Sequence, residues 1–116
     1  MIAVLLSLWC YGGNGLSIHN KFRKLGKVPA GTTVKERYYL ANHTDSIINI
    51  LYVNPDCSCT DYFVSSYTVQ PQDSVYVDLI VNTEHKFGEE ILYTVIKTDS
   101  EPSMYKLTLK FYVEDK

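Results

Sequence analysis

Residues 16–116 predict an all-β sandwich of about seven antiparallel strands, on three observations. Apolar side chains recur at every second position, which is the period of a half-buried strand. Clusters of Asn, Asp, Ser, Pro and Gly interrupt that alternation at short intervals, as turn-forming residues do. No stretch of useful length repeats apolar residues at helical spacing, and no internal repeat is present.

Residues 1–15 stand apart because they contain no Lys, Arg, Asp or Glu. Their apolar opening, residues 1–9, is too short for a bilayer-spanning helix, which needs about 20 residues. Gly13 and Gly15 sit at the −3 and −1 spacing of a signal-peptidase site, so 1–15 read as a signal peptide or leader and 16–116 as the domain. A basic opening segment is missing. Cys10 offers a lipid attachment point, but the bulky Trp9 before it suits lipoprotein processing poorly. The expected location is therefore the periplasm or cell envelope, with membrane contact only if Cys10 is lipidated.

In the domain, Val34, Glu36, Tyr38 and Leu40 alternate with Lys35, Arg37 and Tyr39, which places the two charged side chains on one strand face. Asn42, His43, Thr44, Asp45 and Ser46 form the next turn. The nearly continuous apolar run over 47–53 predicts a central strand covered on both faces, closed by Asn54, Pro55 and Asp56 because proline cannot donate to a ladder. Val75, Val77, Leu79 and Val81 then oppose Tyr76, Asp78 and Ile80. Ile91, Tyr93 and Val95 form a further inward set, and Leu107, Leu109, Phe111 and Val113 the last. Turns fall at 70–73, 85–88 and 99–102. Strands at this spacing in about 100 residues give an immunoglobulin-like sandwich. The Cys…Trp…Cys pattern of antibody domains is absent, since the one tryptophan is Trp9; apolar faces rather than an inter-sheet disulfide must hold the sheets together.

Composition bounds the function. The chain has 116 residues, enough for one domain, with 46% apolar and 21% charged side chains. Eleven basic against thirteen acidic groups leave a net charge of −2, which lacks the electrostatic footprint of nucleic-acid binding.

The segment from Phe22 to Val113 carries Leu25-Gly26, Gly31, Asn42, Cys57-Ser58-Cys59-Thr60, Pro71-Gln72 and Lys86-Phe87-Gly88 in order. This succession resembles the bacterial domain-of-unknown-function family 1573, an immunoglobulin-like family akin to Hydin-type and major-sperm-protein-like domains. Cys-x-Cys-Thr after a strand and an Asp-containing turn is its most specific part. Two departures stand out: Ser58 replaces the glycine between the cysteines, and Gln72 replaces a turn glycine, which argues against a type II turn at Pro71. The resemblance implies an exported bacterial protein, commonly from Bacteroidetes-like organisms, and transfers no activity.

Cys57 and Cys59 are the motif with chemical potential. In an extended strand their α-carbons would lie roughly 6.6 Å apart, near the upper limit for a disulfide, so a bond needs a local turn. Three readings stand: a small-loop disulfide or structural thiol pair; a soft-metal site for Cu(I) or Zn(II) with a histidine as third ligand; or thiol–disulfide exchange, for which no Cys-x-x-Cys at a helix start is present. His19, His43 and His85 fall singly in loops. No Ser between glycines and no Cys–His pair marks a nucleophile. The neighbours Glu89 and Glu90 point to opposite strand faces, which does not suit joint acid–base work. Asp45-Ser46-Ile47 and Asp73-Ser74-Val75 match a short O-glycosylation pattern that arises easily by chance. Tyr39, Tyr76 and Tyr112 fall on outer strand faces, where amphipathic aromatics serve protein or sugar binding. The expectation is a non-enzymatic envelope module without cofactor, whose partner is another envelope protein or a glycan. The alternative is a small metal-binding or thiol-redox protein built on Cys57 and Cys59.

Overall fold

The computed structural model describes residues 15–114; the leader, Cys10 included, lies outside this range except for Gly15. Among the described residues nine strands run in order: β1 (Leu16–Ile18), β2 (Phe22–Pro29), β3 (Thr33–Asn42), β4 (Ile48–Pro55), β5 (Thr60–Val64), β6 (Thr68–Val69), β7 (Ser74–Asn82), β8 (Gly88–Thr98) and β9 (Met104–Glu114). They form a five-stranded sheet, β2-β9-β8-β4-β6, and a four-stranded sheet, β1-β3-β7-β5. The strands beyond the seven expected include the short pieces β1 and β6, of three and two residues. Every pair is antiparallel except β2 with β9, which run parallel.

The alternation in β3, β7 and β9 puts its apolar positions inside. Tyr38, Leu40, Val77, Leu79, Val81, Leu107, Leu109, Phe111 and Val113 are almost fully buried between the sheets. Each such side chain contributes about 1.5–3 kcal/mol relative to exposure. Tyr38 keeps its hydroxyl satisfied by donating to the Thr108 carbonyl at 3.3 Å. Arg23 from β2 crosses the sandwich edge to β3: it pairs with Glu36 at 2.9 Å and stacks 4.2 Å from the Tyr38 ring centre.

Three expectations need correction. In β8 the inward set is Leu92, Thr94 and Ile96, while Ile91 and Tyr93 are exposed and Val95 half-buried. Over 91–96 both phases carry large apolar side chains, interrupted in the inward one by Thr94, and pairing of Leu92 with Leu109 decides between them. The run over 47–53 is not covered on both faces: Ile47, Leu51 and Tyr52 are exposed, because a bulge against β8 between Ile50 and Tyr52 leaves Ile50 and Val53 inward and turns the two residues between them to the open outer face. Gln72 does take a left-handed conformation, φ 64°, in a turn closed by Asp73 N donating to Gln70 O at 3.1 Å. Its side-chain amide donates to the Thr44 carbonyl at 3.0 Å, and its backbone N to Asn42 O at 2.8 Å, so the turn is held from outside. Ser58, by contrast, takes no positive φ.

The Asn42 turn is a junction. Its side chain is fully buried; Nδ2 donates to the carbonyls of Ser46 (2.7 Å) and Val69 (3.0 Å), and Oδ1 accepts from Thr44 N (2.9 Å) and Thr44 Oγ1 (2.6 Å). Val69 belongs to the opposite sheet, so one amide ties the end of β3 to β6.

Candidate functional site

Cys57 and Cys59 form a disulfide across a Cα–Cα distance of 5.1 Å, shorter than an extended strand provides. The shortening comes from a turn over 57–60, in which Thr60 N donates to Cys57 O at 3.0 Å. Both cysteines pack against the smaller of two core clusters, around Val34, Val81, Leu92 and Phe111. Cys59 and His85 line one shallow depression with Asn82 and Lys86, a neighbourhood that their sequence separation hid. Among the described residues no group of three His, Cys, Asp or Glu side chains is placed to hold a metal ion.

The tyrosine candidates divide between the two sheets. Tyr39 and Tyr76 are cross-strand partners on the outer face of the four-stranded sheet, with ring centres 6.1 Å apart in an edge-on contact. Such pairs contribute about 0.5–1.5 kcal/mol beyond their buried area. Phe63 extends the row: it projects from β5, 55% exposed, with its ring centre 6.2 Å from that of Tyr76. Sequence alternation alone could not find Phe63, because only the pairing of β5 with β7 places it there.

Arg37 and Asp78 lie beside this aromatic row. Arg37 donates to both Asp78 carboxylate oxygens, at 2.8 and 3.0 Å, and its guanidinium lies 3.7 Å from the Tyr76 ring centre. Asp78 is 3% exposed although it points outward. The Arg37 hydrogen bonds outweigh desolvation and hold its carboxyl below the usual range. The arrangement is a stiff, amphipathic surface, bordered by β5 at the sheet edge.

Tyr112 stands on the other sheet, 48% exposed. It lines a depression of about 250 Å³ with Lys24, Gly26, Lys27, Glu89 and Lys110. Lys110 pairs with Glu89 at 3.0 Å. Exposed Phe22, Ile91 and Tyr93 continue this outer face, and Lys106 lies 4.7 Å from the Tyr93 ring centre.

Two sheets with this strand order define a PapD-like, immunoglobulin-like β-sandwich module. The ASH/PapD-like domain of human CEP192 superposes with a TM-score of 0.66 at 12% identity, over 100% of this chain and 98% of that one. The chain belongs to the DUF1573 family, proteins of unknown function, whose model matches residues 16–113. A protein of unknown function from Porphyromonas gingivalis W83 gives a TM-score of 0.75 at 11% identity, over 86% of this chain and 47% of that one. The VesB protease of Vibrio cholerae gives 0.69 at 14% identity, over 88% and 32%. The present chain thus spans less than half the length of these last two, and identities this low establish the fold alone. Among curated protein sequences none matches.

Proposed function

We propose that this chain is an exported, non-enzymatic cell-envelope module that binds another protein through the outer face of its four-stranded sheet. The observation that carries this reading is the row of Tyr39, Tyr76 and Phe63, which runs across three strands to the open edge β5. Aromatic side chains with few rotamers supply contact area at low entropy cost and dominate binding hot spots. Beside them, the free backbone groups of an edge strand can accept a partner's strand. A photo-crosslinking amino acid at position 63, with position 104 on the opposite sheet as control, tests it in the envelope fraction. One discrete adduct from position 63, lost with Tyr39→Ala, is expected. No adduct, the same adducts from both positions, or a chain recovered only from the cytosol refutes the reading.

A second reading uses the depression shared by Cys59 and His85. Reduction of the disulfide by a thiol donor would free two thiolates, a pair suited to Cu(I); His85 is not placed to complete a three-ligand set as the chain stands and would have to turn toward Cys59. Elemental analysis of reduced protein with and without His85→Ala tests it: one equivalent of copper that is lost in the variant supports it, and metal-free protein refutes it.

A further inference from the structure

We propose that the depression around Gly26 binds an anionic sugar residue of an acidic polysaccharide, held by Lys24, Lys27 and Lys110 against the ring of Tyr112. The site lies on the sheet opposite the protein-binding face and does not depend on that reading.

The argument starts from a backbone irregularity. Residues 24 and 27 are three apart and would point to opposite faces of a regular strand. Here Lys24 is opposite Lys110 and Lys27 is opposite Tyr112, so three residues of β2 match two of β9. This is a β-bulge, with Gly26 at φ 76° supplying the left-handed backbone it needs. The extra residue brings Lys27 round to the face that Lys24, Lys110 and Tyr112 already share. No atom lies within 4 Å of where a Gly26 Cβ would stand, which leaves the space above the bulge open.

The charge this gathers is not neutralised locally. Of the three lysines, Lys110 is paired, with Glu89; Lys24 and Lys27 make no ion pair among the described residues. By strand alternation and register, Lys97 and Lys106 share the same outer face, as do the carboxylates Glu89, Glu114, Asp56 and Asp99, the last two at its far side beside Tyr93 and Asn49. The basic excess is therefore local to Lys24, Lys27 and Lys110 around the depression, and an anion there relieves the repulsion among them.

Shape and chemistry then select the anion's carrier. At about 250 Å³ the depression is smaller than the roughly 300–1,000 Å³ typical of sites that enclose a drug-sized molecule. It suits one ring at a time rather than a whole small molecule or a helix. The half-exposed face of Tyr112 offers a stacking surface for a sugar ring. Glu89, beside Lys110, accepts hydrogen bonds from the hydroxyl groups that every sugar residue of such a polymer carries. Phe22 and Tyr93 flank Thr108, four residues back along β9 and about 13 Å from Tyr112. They continue the track for a polymer.

The full chain is titrated with polygalacturonate oligosaccharides and dextran sulfate, with neutral dextran and phosphatidylglycerol vesicles as comparisons, by calorimetry and amide-resonance mapping. The expected result is binding of an acidic polymer that shifts the amides of residues 24–27 and 110–112, with no binding of dextran. Lys24→Gln with Lys27→Gln weakens it about tenfold at low salt, Tyr112→Ala also weakens it, and the position-63 crosslink is unchanged. These surface substitutions leave the melting temperature as a check on folding. Equal binding of dextran, binding of vesicles only, no binding of either acidic polymer, or affinity unaffected by all three substitutions overturns the proposal.

Discussion

Replacing Asn42 by alanine tests whether one buried amide holds two sheets together. The substitution removes four side-chain hydrogen bonds, two donated and two accepted. Their loss is unequal. Thr44 is partly exposed and its groups can turn to water, and the Ser46 carbonyl keeps the Thr44 hydroxyl at 3.0 Å. The carbonyl of fully buried Val69 cannot turn to water and is left with its cross-strand partner Ile48 alone. Each lost bond costs about 0.5–1.5 kcal/mol where it is not replaced, and the volume vacated in the buried site adds to that. Together these give a loss of about 2–4 kcal/mol. A domain of this size typically has about 5–15 kcal/mol in all, and the change converts to a fall of about 10–25 °C in melting temperature. Urea unfolding followed by circular dichroism reads it as a lower midpoint with unchanged slope. Asn42→Asp keeps an acceptor for Thr44 but turns a carboxylate oxygen toward two carbonyls, so at neutral pH it costs at least as much. A loss below about 0.5 kcal/mol for Asn42→Ala would refute the reasoning, because even one unreplaced buried hydrogen bond between the sheets costs that much.

Four further outcomes follow from the same geometry. Asp78 is held below its unfolded value of 3.8 by Arg37, so its contribution is complete above about pH 4 and is lost as pH falls through the folded value; Asp78→Asn should flatten that part of an acid melting series. Burial pushes the Tyr38 phenol up to about 12 from 10.0, so stability complete below pH 10 is lost as pH rises from 10 towards 12, and Tyr38→Phe should remove this alkaline limb. The Cys57–Cys59 bond closes a very short loop, and Cys57→Ser with Cys59→Ser should cost about 1–2 kcal/mol in urea unfolding, less than Asn42→Ala. Gly26→Ala meets no neighbour, so its cost is the left-handed backbone alone, about 1–2 kcal/mol by the same measurement.

What could be read from the sequence depended on whether one phase of alternation was polar. In β3 and β7, Lys35, Arg37 and Asp78 mark the outer positions without ambiguity, and the inward valines follow. In β8 the outward phase opens with apolar Ile91, Tyr93 and Val95 while the inward one includes Thr94 and Thr98, so only the partner strand's register could settle the phase. The same limit applies to the surface. Tyr39 and Tyr76 were legible as outward-facing, but their contact, the addition of Phe63, and the placing of Tyr112 on the other sheet are properties of pairing between strands distant in sequence. The bulge at Gly26 was invisible for a different reason: a glycine in a strand marks a bulge or a close approach equally well, and only the opposing residues of β9 tell which.

The position of β9 governs when this domain can form. It lies between β2 and β8 and pairs with both along most of its length. The five-stranded sheet therefore has no continuous interior until residues 104–114 are available, and its parallel contact joins segments more than eighty residues apart. Completion of this sheet waits on the last strand, in the slow regime of topologies dominated by distant pairings. A truncation at residue 103 would therefore remove an interior strand rather than trim an edge, leaving β2 with no partner in its sheet.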